Sequence, residues 1–105
     1  MVEKFAVIGL GQFGRAICKK LSEKGAEVIA IDIDEDRVDE IKDNVSYAVQ
    51  LDSTDKGALE SQNIGDMDAV IVSIGHNFEA MLLTTVKLLE MGVKRLVART
   101  QGETQ

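Results

Sequence analysis

The chain has 105 residues, of which 45% are hydrophobic and 29% are charged, a composition typical of one folded domain. The net charge of −6 and the pI of about 4.7 make nucleic acids and anionic membrane surfaces poor partners, because both bind mainly through Lys and Arg. The single cysteine, Cys18, excludes an internal disulfide.

Short apolar runs alternate with helical patterns in the first half of the chain. Residues 5–8 are apolar throughout and predict a strand buried on both faces. A helical pattern follows and ends at Gly25, a common helix stop signal. A second buried strand is predicted at residues 27–32, and Asp34 then caps a short helix.

The second half of the chain continues the alternation. Three further strands are predicted, at residues 46–51, 68–74 and 95–99. The loop at residues 52–55 is rich in capping residues and leads into a helix through Leu59. Asn77 caps a longer helix, whose apolar residues recur at helical spacing: Met81, Leu82, Val86 and Leu89.

The order of these elements predicts an α/β fold, a doubly wound parallel sheet of Rossmann type with helices on both faces. Residues 1–105 are expected to form a single nucleotide-binding domain. Residues 100–105 are polar and have no helix of their own. We therefore expect a sixth strand or a further C-terminal part to be missing from this chain.

The chain shows no pattern of a targeting or membrane-spanning segment. Its start lacks the basic region, long apolar stretch and cleavage site of a signal peptide. Its longest apolar runs are far shorter than the roughly 20 residues that span a bilayer. These features predict a cytoplasmic protein with no direct membrane insertion.

A GxGxxG motif joins the first predicted strand to the first helix, the context required of a dinucleotide-binding fingerprint. It consists of Gly9, Leu10, Gly11, Gln12, Phe13 and Gly14. Gly9 permits the tight turn, Gly11 lets a pyrophosphate approach the backbone, and Gly14 lets the helix pack against the strand. The N–H groups and positive dipole end of the helix then allow an acidic protein to bind phosphates. The alternative is a glycine-rich turn that binds no ligand.

Asp32 ends the second predicted strand, at roughly the 20-residue distance from the glycines that places a carboxylate on the ribose hydroxyls. That carboxylate would repel a 2′-phosphate, which argues against NADP. The alternative role for Asp32 is a helix cap, and Asp34 suits a cap equally well. Arg37 is interpreted as a solvated residue or one at the edge of the ribose.

The residues after the later strands complete the predicted site, because ligands of parallel sheets bind beyond the carboxyl ends of the strands. They are Asp52, Ser53, Ile74, Gly75, His76, Arg99, Thr100 and Gln101. We expect Asp52 and Ser53 at the adenine edge, Gly75 beneath the phosphates, and Arg99 balancing the phosphate charge. Each is alternatively an ordinary loop residue.

The sequence offers little for catalysis. Hydride transfer needs a positioned proton donor or acceptor, and the only His and Tyr are His76 and Tyr47. No cluster has metal-ligand spacing, and Cys18 is expected to be a packing residue of the first helix. A binding domain is therefore favoured over an enzyme. The NAD-binding half of a dehydrogenase is the alternative, and an S-adenosylmethionine methyltransferase is a weaker one, since no acidic residue precedes the first glycine.

Four segments together resemble the N-terminal domain of RCK/KTN proteins, the cytosolic regulatory subunits of Ktr/Trk potassium uptake systems. They are residues 5–15, 28–34, 52–55 and 70–75. The resemblance covers nearly the whole chain. It implies a domain that binds ATP, ADP or NAD(H), forms a homodimer or a higher-order ring, and gates a membrane potassium-transporting subunit from its cytoplasmic side. It also implies a C-terminal regulatory domain beyond this segment.

The same resemblance assigns residues 9–14 to the phosphates and Asp32, Ile33 and Asp34 to the ribose region. It assigns Asp52 and Ser53 to the adenine and the remaining strand-end residues to the rest of the site. Gln12 departs from the pattern, because some Ktr-type members carry an Arg there that reaches the terminal phosphate. Arg15 is a partial substitute, and the choice between ATP/ADP and NAD(H) stays open.

Overall fold

The computed structural model describes residues 2–99, which form a five-stranded sheet and four α-helices. The strands are β1 (Lys4–Ile8), β2 (Glu27–Asp32), β3 (Tyr47–Gln50), β4 (Ala69–Val72) and β5 (Leu96–Ala98). The helices are α1 (Gln12–Glu23), α2 (Glu35–Ile41), α3 (Lys56–Ser61) and α4 (Phe78–Glu90).

The sheet confirms the predicted doubly wound topology. The strands lie in the order β3-β2-β1-β4-β5, and every neighbouring pair is parallel. The chain therefore starts in the middle, moves outwards to β3 and returns to the far side of β1. Where the direction changes, between β1 and β4, the loops diverge and leave a crevice at the carboxyl ends of the strands.

Helices cover both faces of the sheet and divide the core into two layers. On one face, Cys18 of α1 and Val38 and Ile41 of α2 pack against β1 and β2. On the other face, α3 and α4 pack against β1, β2 and β4 through residues such as Leu59 and Leu88. Burial from both sides explains why β1 and β4 are apolar runs rather than alternating patterns.

Three strands are shorter than the sequence predicts. β3, β4 and β5 end one or two residues early, which leaves Leu51, Ser73, Ile74 and Arg99 in loops. Leu51, Ser73 and Arg99 still donate one backbone hydrogen bond each to the neighbouring strand. The chain turns away after that bond, so these residues line the crevice instead of extending the sheet.

Helix α4 confirms the predicted helix, and the structure shows which of its faces is buried. Met81, Thr84 and Leu88 point inward, whereas Leu82, Val86 and Leu89 are exposed. The helical spacing could not distinguish the two faces, because both carry apolar residues. The hydroxyl of the buried Thr84 has a hydrogen-bond partner, since it lies 2.7 Å from the hydroxyl of Ser53.

No helix within residues 2–99 has the length and apolar character needed to cross a membrane.

Two adjacent leucines of α4 test the orientation of this helix. Leu88 is fully buried and Leu89 is 63% exposed. Leu88→Ala should lower the free energy of unfolding by about 2–5 kcal/mol, whereas Leu89→Ala should change it by less than about 0.5 kcal/mol. Urea denaturation followed by circular dichroism measures both. Similar losses in the two variants would contradict the assigned face.

Candidate functional site

The turn from β1 into α1 depends on two glycines. Gly9 has a φ of +99°, a conformation that side chains other than glycine rarely adopt. A Cβ on Gly9 would also collide with the carbonyl group of Ser73, and a Cβ on Gly14 would collide with the carbonyl oxygen of Gly9. The roles predicted for these two glycines, a tight turn and close helix–strand packing, are therefore the ones the chain itself requires.

Gly11 differs from the other two glycines of the motif. A Cβ on Gly11 would find only one neighbour within 4 Å, the Nη1 atom of Arg37 at 3.5 Å, which is an ordinary contact distance. The protein's own packing does not require glycine at this position. What the missing Cβ provides is an open backbone at the N-terminus of α1.

The N-terminus of α1 lacks the capping that the other helices have. Its N-cap is Gly11, no side chain caps it, and its first turn carries no acidic residue. By contrast, α2, α3 and α4 begin at Asp34, Asp55 and Asn77, and each of these side chains accepts a hydrogen bond from its helix. The first-turn N–H groups of α1 and its positive dipole end are thus directed at the crevice, where they suit an anion.

Asp32 is held in place at the end of β2. One carboxylate oxygen accepts the Leu10 N–H at 2.7 Å, and the other accepts the Asp34 N–H at 2.8 Å. These bonds fix the plane of the carboxylate beside the glycine loop. Each oxygen keeps further lone-pair capacity, so the group can still accept hydrogen bonds from a pair of hydroxyls.

Two adjoining cavities lie along the carboxyl ends of the strands. The glycine-loop cavity, of about 610 Å³, is lined by Gly11, Gln12, Phe13, Ala16, Arg37, Ser73, Gly75, His76 and Arg99. The carboxylate cavity, of about 310 Å³, contains Asp32 and extends past the ends of β2 and β3 to the start of α4. Arg37, Ser73 and His76 line both cavities, so the two form one groove.

Most of the predicted site residues meet in this groove. The carboxylate cavity includes Gly9, Asp32, Ile33, Asp34, Asp52, Ser53, Ile74 and His76. Leu10 and Gly14 line neither cavity. Leu10 places its side chain in the core and contributes its N–H to Asp32, and Gly14 is buried beneath the turn. Thr100 and Gln101 lie outside the described residues.

Asp52 and Ser53 follow β3 but differ in orientation. Asp52 is exposed, and the hydroxyl and N–H of Thr54 both donate to its Oδ1, at 2.6 and 2.9 Å. These two hydrogen bonds lower the pKa of the Asp52 carboxyl. Ser53 is buried and its hydroxyl pairs with Thr84 of α4. Asp52 therefore presents a charge to the groove, while Ser53 joins the wall of the groove to α4.

Of three arginines near the glycine loop, Arg37 and Arg99 line the groove and Arg15 does not. The guanidinium of Arg15 lies 3.2 Å from Glu40, an ion pair between α1 and α2 rather than a group beside the glycine loop. Arg99 stacks over the ring of Phe13, 3.9 Å from its centroid. Arg37, interpreted from the sequence as solvated or at the ribose edge, lines both cavities. The sequence signal for this placement was that Arg37 follows the Asp34 cap by three residues, in the first turn of α2.

Other residues of the groove were also missed. Thr54, Ser73, Asn77 and Ala80 line it, and each lies in a loop that follows a strand or at the start of α4. Extending the rule on strand ends to every residue of those loops would have found them.

Two further observations concern the cysteine and metal-ligand chemistry. Burial raises the pKa of Cys18 to about 12, so the thiol stays protonated and packs in the core as predicted. Within residues 2–99, no three His, Cys, Asp or Glu residues are grouped to hold a metal ion. The groove joins an uncapped helix N-terminus, which suits an anion, to a carboxylate that can accept hydrogen bonds from hydroxyls.

The comparison with known protein families agrees with this geometry. Residues 5–105 match the family model of the TrkA-N domain. The chain belongs to the TrkA-N family. This membership confirms the resemblance that the four sequence segments carry.

Curated TrkA-N relatives are potassium uptake proteins by name. The chain is 50% identical over 103 residues to the Ktr system potassium uptake protein C of Bacillus subtilis (strain 168), covering 98% of this chain and 47% of that protein. It is 39% identical over 103 residues to the Ktr system potassium uptake protein A of Vibrio alginolyticus, with the same coverage, 98% and 47%. The chain thus spans about half the length of these relatives.

A solved structure shares the TrkA-N fold seen here. It is the NAD(P)-binding domain of an exopolyphosphatase-related protein from Archaeoglobus fulgidus, with a TM-score of 0.82 and 23% identity. The match covers 93% of this chain and 73% of that chain. At this identity, the likeness confirms the Rossmann-like fold alone.

Two alanine substitutions separate the roles of the glycines. Gly14→Ala should lower the free energy of unfolding by at least about 2 kcal/mol, because the methyl group overlaps the Gly9 carbonyl. Gly11→Ala should lower it by at most about 1 kcal/mol, the difference in capping between Gly and Ala. Thermal and urea unfolding of the two variants provide the measurement. A loss at Gly11 as large as that at Gly14 would show that packing requires both.

Proposed function

We propose that this TrkA-N domain binds an adenine nucleotide, NAD(H) or ATP/ADP, and regulates potassium transport through a membrane potassium-transporting subunit. The observation that carries the proposal is the 50% identity to Ktr system potassium uptake protein C across 98% of the chain. The groove supplies the physical support, because its parts match the parts of such a ligand.

The phosphates are assigned to the N-terminus of α1. This N-terminus is uncapped, and the missing Cβ of Gly11 leaves its backbone accessible. The protein's own packing does not require glycine at this position. In three of the four α-helices within residues 2–99, the N-cap side chain accepts one N–H of the first turn. The exception is the helix that follows the GxGxxG motif.

The nucleoside is assigned to the carboxylate cavity. Asp32, fixed by Leu10 and Asp34, accepts the ribose hydroxyls, and Asp52 lies where β3 ends, next along the sheet. An anionic carboxylate favours a base edge that presents an amino donor, as adenine does. ATP, ADP and NAD(H) share the ADP portion, and the glycine-loop cavity takes whatever lies beyond it.

The role proposed for the bound nucleotide is regulatory. A ligand that binds two arrangements of a protein with different affinity shifts their populations without being converted. The domain would act in the cytoplasm, at the inner face of the membrane, in contact with the transporting subunit. An NAD-binding half of a dehydrogenase is distinguished by turnover, which this proposal does not include.

Nucleotide binding and its dependence on Asp32 form the direct test. Isothermal titration with ATP, ADP, NAD and NADH should show binding at micromolar concentrations, with no ligand consumed. Asp32→Asn should weaken binding by about 1.5–3 kcal/mol, because hydrogen bonds to a charged group are lost. Asp43→Asn removes the same charge from an exposed residue outside the groove and is the matched control. Absence of binding by all four nucleotides would refute the proposed site.

The regulatory role needs a second readout. Potassium flux into vesicles that carry the transporting subunit should depend on nucleotide when the wild-type protein is added. With Asp32→Asn, that dependence should disappear at nucleotide concentrations that saturate only the wild type. Equal flux with and without nucleotide, in spite of measured binding, would overturn the regulatory role and leave the binding site intact.

We also propose that the domain associates with a second copy of itself through α4. Five apolar side chains of this helix are exposed, which is more than the scattered single residues normal for a surface. They are Phe78, Leu82, Leu83, Val86 and Leu89. A second copy presenting the same row would bury both rows in a symmetric contact.

A charge placed in the exposed row of α4 tests self-association. Sedimentation equilibrium should show a dimer or a larger assembly for the wild type and a shift toward the monomer for Leu82→Lys. Val97→Lys is the control, because Val97 is an exposed apolar residue of β5 rather than of α4. A wild-type monomer at all concentrations, or equal shifts in the two variants, would argue against this contact.

A further inference from the structure

Arg37 occupies the junction of the two cavities. Its backbone belongs to the first turn of α2, where its N–H donates to the Asp34 carbonyl at 3.1 Å. Its side chain leaves α2 toward the glycine loop, and Nη1 lies 3.5 Å from where a Cβ of Gly11 would stand. The guanidinium therefore lies beside the uncapped N-terminus of α1.

The partner of this guanidinium within its own helix is weak. Nε of Arg37 lies 4.0 Å from Oδ2 of Asp34, and both side chains are about half exposed. The other oxygen of Asp34 caps α2 by accepting the Asp36 N–H at 2.9 Å. A long ion pair between exposed groups contributes little stability, so the guanidinium can exchange this contact for another anion at small cost.

The two other arginines near the groove have partners of their own. Arg15 is paired with Glu40 and lines neither cavity, and Arg99 stacks on Phe13 in the wall of the glycine-loop cavity. The glycine loop itself carries Gln12 and no basic residue. Around Arg37, the first turn of α2 supplies negative charge through Asp34, Glu35 and Asp36. A polyanion in the groove thus meets positive charge at the α1 N-terminus and at Arg37.

We propose that Arg37 is a phosphate-binding residue of this site, clamping the phosphate chain against the N-terminus of α1. The inference rests on the proposed nucleotide binding and assigns one residue of that site. A guanidinium suits this role because its planar set of donors matches two phosphate oxygens at once. The missing side chain of Gly11 then serves the ligand, which lies against its backbone.

A phosphate clamp and a residue at the ribose edge predict different ligand dependence. The contribution of a clamp rises with the number of phosphates and vanishes for adenosine. A ribose contact contributes equally to adenosine, AMP, ADP and ATP. The affinity ratio between ADP and adenosine therefore reports which part of the ligand Arg37 touches, independently of changes in overall stability.

The test compares Arg37→Gln with the wild type over adenosine, AMP, ADP and ATP, using calorimetry and, for weak ligands, NMR chemical shifts. ADP and ATP should bind at least tenfold more weakly to the variant, and adenosine should bind within twofold of the wild type. Arg37→Lys should recover part of the loss, because it restores the charge without the fork of donors. The steepness with which salt weakens ATP binding should also decrease in Arg37→Gln.

Arg15→Gln is the matched control. It removes the same charge from a guanidinium of similar exposure that is bonded to Glu40, so the affinity for ADP should stay within twofold of the wild type. An equal loss for adenosine and ADP in Arg37→Gln, or a loss no larger than that of Arg15→Gln, would overturn the clamp. Failure of the wild type to bind any of the four ligands would instead refute the nucleotide site, and the role of Arg37 with it.

Discussion

The contact between Gly14 and the carbonyl of Gly9 determines how close α1 can come to β1. Neither residue leaves room for a Cβ at this contact, since Gly9 is itself pressed against the backbone that follows β4. Three backbone segments thus meet where one side chain would separate them. This contact places the start of α1 at the carboxyl ends of the strands, beside Asp32 and close to the loops after β3 and β4. The groove exists because these backbones are in contact.

The two ends of the groove differ in charge, although the molecule as a whole is negative. The chain carries a formal charge of −6. Yet the elements that meet at the turn contribute an uncapped helix N-terminus and a guanidinium, while carboxylates begin at Asp32 and continue toward β3. The groove is therefore positive at one end and negative at the other. A ligand with phosphates at one end and hydroxyl and amino donors at the other matches this polarity in a single orientation.

Sequence reasoning predicted the order of elements, the parallel sheet and most of the groove, because each depends on local signals. Buried strands are recognisable as apolar runs. Gly25 indicates where a helix ends, and Asp34 and Asn77 indicate where helices begin. These local signals do not predict where long side chains point. Arg15 and Arg37 are both flexible cations near the motif, and only the packing of α2 against α1 sends one to Glu40 and the other to the glycine loop. The two apolar faces of α4 were indistinguishable for a similar reason: the buried face is defined by contacts with distant parts of the chain, such as the one between Thr84 and Ser53, 31 positions away.

Helix α4, which Thr84 joins to Ser53, has two different surroundings. Along one side, the helix begins at the carboxylate cavity with Asn77 and Ala80 and is joined to the loop after β3 through Thr84. Along the other side, it presents the row from Phe78 to Leu89 to solvent. Both sides belong to one continuous helix of 13 residues. Any displacement of its first turn, at the wall of the groove, is therefore also a displacement of its outer surface, some 10 Å away across the helix diameter.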